Sequence, residues 1–365
     1  MTTNEKVLVW LDSFDFMTYK KKENMLALFP NLSELLSREL VSLNSDKIRK
    51  IIGDEYYQIF MQEVGEDNVN KVVQNIENLG VKILTRLSSA YPENLANIST
   101  PPFVVYYKGN INLLDTDCFG IVGTRHLTSY GKMATEKFTQ GLANAGFTIV
   151  SGLASGVDTV AHTKTLEVKG KTIAVLANGL DQIYPPSNTS LAERIIKEGG
   201  LIISESRPFR RAEAFLFPIR NRIIAGLSRG ILVTEAQEKS GAMHTKNYAL
   251  EYGKDVFAVP GSIFNVTSAG TNRMIINGQA KAVMDLDDVL CEYHLNPPKK
   301  ASAPVENFSI EEQIVINLLS SGEKTFQELA LRSNIETKKL NNILTMLTIR
   351  KVLTKMPGNI YYLNS

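Results

Sequence analysis

Cysteine is nearly absent: Cys118 and Cys291 are the two in 365 residues, far apart and without His or Cys neighbours at ligand spacing. A disulfide framework is excluded, and a zinc site is argued against. An excess of charge of one sign is missing too. The 40 Lys and Arg stand against 38 Asp and Glu, a net charge of +2, so binding to a polyanion has to come from local clustering and not from a general basic field. No run approaches the roughly 20 apolar residues of a membrane-spanning helix. The opening stretch MTTNEKVLVWLDSFDF lacks the basic start and apolar region of a secretion signal, and a cytoplasmic location is expected. Internal repeats and low-complexity tracts are lacking.

What is present is an apolar content of 44%, enough for two or three domains with real cores. Residues 1–80 alternate apolar runs with short polar breaks, which predicts a helical domain of four or five helices, similar to a SAM or helix-hairpin-helix module. VKILTR (81–86) and FVVYY (103–107) read as strands added to the edge of the next domain. From Cys118 the runs FGIVG, FTIVSG, TIAVLA, LIISE, GILVTEA and DVFAVPG alternate with helical stretches. Strands buried on both faces and joined by helices predict an α/β fold, a doubly wound, Rossmann-like parallel sheet over 81–295. Prolines and small polar residues make 296–309 a linker. Three helix candidates and two short strands around a Pro-Gly-Asn turn then describe a winged helix over 310–365. Residues 301–365 carry 7 basic and 6 acidic groups, a balance that weakens duplex binding as their task and leaves a protein contact open.

In a parallel sheet, ligands sit beyond the carboxyl ends of the strands. Here those ends carry GTRHLTS, SGLASGVD, NGLDQIYP, SESRPFRR, EAQEKSGAMHT and PGSIFN. GIVGTR is neither a GxGxxG nor a Walker sequence, so no cofactor motif is met. A glycine turn before a helix, with Arg125 beside Gly123 and Thr124, suits a phosphate. Ser151 and Gly152 open a second small-residue turn, and Ser240 and Gly241 a third. Asp158 and His162, four apart, share a helix face; without a third ligand or a paired nucleophile they read as structural support for their loop. Arg207, Arg210, Arg211, Arg220 and Arg222, with Phe215 and Phe217 among them, combine guanidinium groups for phosphate with rings for bases. A groove for single-stranded nucleic acid and a solvated basic loop with Phe215 and Phe217 in the core are both open from that segment alone.

Taken in order, GIVGTR, SGLASGVDTVAH, TIAVLANGLDQIYPPSN, LIISE, FPIRNRIIAGLSRGILVTEA, SGAMHT and DVFAVPGS with GTN resemble the DNA-processing protein A (DprA, or Smf) family over about 81–295. The resemblance implies a non-enzymatic single-stranded DNA-binding mediator that protects incoming DNA in natural transformation and loads the RecA recombinase, with dimers built through the sheet domain. It assigns the DNA pocket to Gly123, Thr124, Arg125, Phe217, Arg220, Asn221 and Arg222. A lysine common in the family three residues before the loop phenylalanine is Ala214 here, so Arg210 or Arg211 is expected to supply that charge; the aromatic after SE is Ser206. DSFDFMTYKKK stands where a Pro-Gly-Ile-Gly hairpin is found in the family. Two other functions compete: an enzyme of nucleotide metabolism using the same sheet edge, against which stands PGSIFN in place of a glutamate-bearing PGGxGT loop, and a regulator whose winged helix reads duplex DNA.

Overall fold

Short β-branched runs flanked by turn residues become strands throughout the computed structural model, which describes residues 1–295, 308–350, 352–356 and 358–363. The strands are β1 (Lys82–Thr85), β2 (Val104–Gly109), β3 (Cys118–Val122), β4 (Thr148–Ser151), β5 (Thr172–Leu176), β6 (Leu201–Ser204), β7 (Gly230–Val233), β8 (Asp255–Ala258) and β9 (Lys281–Ala282). They form one sheet in the order β1-β2-β6-β5-β4-β3-β7-β8-β9. The first two pair antiparallel at one edge, as expected of added strands, and the rest run parallel. Every residue of β3 through β7 is buried, which is why those runs carry no polar alternation. β9 has no apolar run to announce it.

Six helices precede the sheet: α1 (Thr3–Asp12), α2 (Tyr19–Leu28), α3 (Arg38–Leu43), α4 (Ser45–Ile52), α5 (Asp54–Glu63) and α6 (Glu66–Glu77). The count exceeds the four or five expected because KIRKIIGDEYYQIFMQEV, one amphipathic run by periodicity, breaks at Gly53, whose φ of +97° ends α4 and starts α5. These helices share one apolar core with the sheet: Trp10, Met25 and Phe60 belong to the same cluster as Phe103, Val104, Tyr106 and Leu176. Within it the Tyr106 hydroxyl donates to Asp12 at 2.7 Å, and Lys22 pairs with the same carboxylate.

Between and after the strands lie α7 (Glu93–Ala96), α8 (Ser129–Asn144), α9 (Val157–Glu167), α10 (Thr189–Lys197), α11 (Leu216–Leu227), α12 (Ala242–Glu251), α13 (Ala269–Ile276) and α14 (Asp287–Leu290). On one face of the sheet Ile223 and Ile224 of α11 and Ala249 of α12 pack with Val122, Val150 and Ile173. On the other, Phe138 and Leu142 of α8 and Ala161 of α9 pack with Phe119, Ile121 and Ile149. Helices thus cover both faces of a mostly parallel sheet.

Contacts divide the chain into two compact units, Met1–Pro298 and Lys299–Ser365. Most of the expected linker, 296–307, lies outside the described residues, as does Pro357 of the expected turn. The second unit holds α15 (Ile310–Leu319), α16 (Phe326–Ser333) and α17 (Thr337–Ile349), with β10 (Lys324–Thr325), β11 (Leu353–Met356) and β12 (Ile360–Leu363) in the order β10-β12-β11. Its core is Val315, Leu329, Leu340, Leu344, Leu347 and Tyr361. Among the described residues no helix is long and apolar enough to cross a membrane.

Candidate nucleic-acid interface

The strand order reverses at β3, whose neighbours are β4 and β7; a crevice opens beyond the carboxyl ends of strands at such a point. Val122 pairs with Val233, and the Thr124 N–H then donates to the Glu235 carbonyl at 2.7 Å, so the Gly123–Arg125 turn is tied to the end of β7. A Cβ on Gly123 would lie 2.7 Å from the Glu235 carbonyl oxygen and 2.5 Å from Val157. Gly123→Ala is therefore expected to cost about 1–3 kcal/mol through overpacking, read as a lower urea midpoint. An unchanged midpoint would show that the turn yields freely.

The crevice is a cleft of about 590 Å³, walled by the 123–126 turn, Tyr184, Ala212, Ala214, Phe217, Arg220, Asn221 and the stretch from Lys239 to Thr245. Arg125 is exposed, carries no ion pair among the described residues, and holds its guanidinium 5.0 Å from the centre of the Phe217 ring. Tyr184 packs against that ring from elsewhere, with centroids 5.7 Å apart. The result is a cation resting on an aromatic platform at the mouth of the cleft. Lys239, also exposed and without an ion pair among the described residues, stands in the wall.

Arg220 and Arg222 divide. FPIRNR, expected as a loop, forms the first turns of α11, where residues two apart point to different sides. Arg220 turns to the cleft floor, only 6% exposed. It donates to the Gly152 carbonyl at 2.8 Å and to that of Val175. Beneath it Asp158 accepts from the Gly152 and Ala154 N–H groups at 3.1 and 3.3 Å, the structural support read from the sequence. Burial raises the Asp158 carboxyl above its ordinary range, with Arg220 the main opposing influence. Burial likewise brings Arg220 down to about 10, still charged at neutral pH. Arg222 does not reach the cleft as expected: 4% exposed, it donates to Glu205 at 2.7 Å and to Thr100 at 3.0 Å.

The expected phosphate turns also resolve unequally. The helix start behind GTR is occupied from within, since Glu235 accepts from the Thr128 N–H at 2.9 Å and its hydroxyl at 2.8 Å. Asp158, in the first turn of α9, turns instead to the N–H groups of the preceding loop. Ser151 lies below the cleft, donating to the Ile121 carbonyl at 2.7 Å, and Gly152 is buried beside it. His162 is fully buried, 2.7 Å from the Thr172 hydroxyl through Nδ1, and burial pushes it down to about 3, so it stays neutral. The first turns of α11 and α12 line the cleft without a side-chain cap at their N-cap residues, and backbone turns satisfy most of their N–H groups: Leu216 donates to the Glu213 carbonyl at 3.0 Å, Met243 to that of Ser240 at 3.0 Å and His244 to that of Gly241 at 3.2 Å. Ser240 accepts weakly from Ala242, at 3.3 Å, and Asn221 bridges to the Gly241 carbonyl at 3.3 Å, tying the two helix starts together.

Upstream of α11, Arg207 and Arg210 both reach Asp15 of the N-terminal helical region, at 2.8 and 3.0 Å. The hydrogen bond from Arg207 leads in holding the Asp15 carboxyl below its ordinary range. Arg210 also pairs with Glu213 at 3.1 Å. Arg211 is exposed and has no ion pair among the described residues, which leaves it as the free charge near Ala214. Sequence reasoning missed Tyr184, Lys239, Glu235 and Asp15. The first three lie on strand-end segments, a signal that was available; Asp15 carried none.

A family model described as DNA recombination-mediator protein A matches residues 82–294. The DNA processing protein DprA of Bacillus subtilis is 40% identical over 223 residues, 61% of this chain and 74% of that protein. The crystal structure of DprA from Streptococcus pneumoniae superposes with a TM-score of 0.67 at 35% identity, covering 80% of this chain and 98% of the other. A structure of DNA processing protein A from Helicobacter pylori, described for its single-stranded DNA binding mode, matches with a TM-score of 0.54 at 31% identity over 59% of this chain and 97% of that one.

Proposed function

Since the chain belongs to the DNA recombination-mediator protein A family, we propose that it binds single-stranded DNA in the cleft at the β3–β7 switch point. The observation that carries this reading is Arg125, without an ion pair among the described residues and seated on Phe217 beside Tyr184 at the cleft mouth. A phosphate pairs with its guanidinium, while a base stacks on the ring; neither contact distinguishes one base from another. In this reading Gly123, Thr124, Asn221, Ser240 and Gly241 shape the walls, and Arg211 adds a phosphate contact. Arg220, Ser151 and Gly152 hold the floor, and Arg222 braces α11. An enzyme of nucleotide metabolism is not favoured, because the matched proteins are named for DNA processing and recombination.

The test compares oligonucleotide affinity across salt. Single strands are expected to bind at least tenfold more tightly than duplex, with a linear fall of log affinity against log salt. Equal binding of both forms would overturn the reading. Its further parts are delivery of RecA to single strands during natural transformation, hence a cytoplasmic site of action, a homodimer, and a winged helix in the C-terminal unit. The homodimer is supported by Ile263, Phe264 and Val266, all largely exposed after β8. Three helices with a small antiparallel sheet support the winged helix. Sedimentation, RecA-filament assembly and duplex binding by a variant cut after residue 300 check them in turn.

A further inference from the structure

Two phenylalanines outside the cleft lining are largely exposed: Phe209 is 68% exposed and Phe215 52%. Isolated exposed rings are ordinary, but these sit on a segment that is held in shape. Phe209 has a φ of +68°, a conformation that glycine adopts freely and a bulky side chain rarely. Its N–H donates to Asp181 at 2.7 Å, and the Gly179 N–H donates to the Arg210 carbonyl at 2.9 Å. The turn is thus pinned to the loop after β5, and a ring stands in the place where glycine would relieve strain. Strain retained in this way points to a role for the side chain.

The surroundings say what the rings would meet. Arg210 lies 5.9 Å from the centre of the Phe215 ring, Arg211 is unpaired, and Phe215 directly precedes α11, whose first turn lines the cleft. Ala212 and Ala214 of the same segment are part of the cleft wall. Exposed rings interleaved with arginines, continuous with a cleft read as a single-strand site, form a stacking track.

We propose that a single DNA strand leaving the cleft continues across residues 207–215, with bases stacked on Phe209 and Phe215 and a phosphate on Arg211. This rests on the cleft reading and extends it to a longer footprint. Rigid rings on a pinned turn lose little freedom when a base arrives, so the segment adds affinity without adding sequence preference.

The experiment measures affinity for oligothymidylates of about 4 to 16 nucleotides with the wild type, the Phe209→Gly/Phe215→Ala double variant and Arg125→Ala. The double variant is expected to match the wild type on the shortest strand and to lose about tenfold or more on the longest. Its melting temperature should be unchanged or higher, since glycine relaxes the turn. Phe215→Trp should show indole quenching only with the longer strands; Trp10, the chain's single tryptophan, is buried and adds a constant background. Equal affinity of the double variant and wild type at every length, with Arg125→Ala still impaired, would overturn the track and assign the rings to a protein partner. An equal loss at all lengths would place the rings in the cleft itself and also end the proposal. Impaired long-strand binding by the double variant beside normal binding by Arg125→Ala would remove the cleft reading while leaving the rings as a DNA surface.

Discussion

Arg220→Met is expected to lower folding stability by about 1–3 kcal/mol, the cost of leaving buried polar groups without their partner. Methionine keeps most of the volume but leaves the Gly152 and Val175 carbonyls without their donor and Asp158 without its cation. The loss should also depend on pH. A carboxyl raised in the folded chain binds its proton more tightly there than when unfolded, so stability falls as pH rises from the unfolded value of about 4 through the folded one, and stays lower above it. Arg220 opposes that rise. Its removal widens the window and deepens the deficit, so the variant should fall further behind the wild type at pH 8 than near pH 4. Urea denaturation at the two pH values measures this. A uniform loss below about 1 kcal/mol would mean that solvent reaches the floor and screens Asp158 from Arg220.

Arg125→Ala acts on the other side of the same cleft and should leave stability alone, because the side chain is exposed and braces nothing. Single-strand affinity is expected to fall about ten- to hundredfold, the equivalent of one charge-assisted contact of about 1.5–3 kcal/mol. The slope of log affinity against log salt should flatten by about 0.7, one phosphate's worth on a single strand. Arg222→Ala is the informative contrast. It breaks the buried pair with Glu205, so it should lower the melting temperature and leave the salt slope of the folded protein untouched. If Arg222→Ala flattened the slope and Arg125→Ala did not, the roles assigned to the two arginines would be reversed.

The six central strands were legible because strands buried on both faces have to be continuous apolar runs, and these recur in step with helical stretches between them. The site was legible in part. Glycine turns and cations at strand ends marked the edge of the sheet where the cleft opens, and Arg125 and Phe217 prove to be neighbours there. What misled was local conformation: FPIRNR contains a proline and two arginines and reads as a loop, yet proline is tolerated in the first turn of a helix. Once helical, the segment separates Arg220 from Arg222 by more than half a turn, and two residues that look equivalent in a motif take opposite sides.

From the chain alone came the kind of fold, a covered parallel sheet, and the edge at which the cleft opens, because burial and the free ends of strands leave marks of local composition and spacing. Which charges are available to a ligand was decided only by tertiary structure. Glu235 fills the helix start behind the GTR turn, Glu205 takes Arg222, and Asp15, 192 residues away in the chain, holds Arg207. A guanidinium is a free phosphate ligand or a spent one according to which carboxylate the fold brings within about 4 Å, and that distance is set by packing between elements remote in sequence.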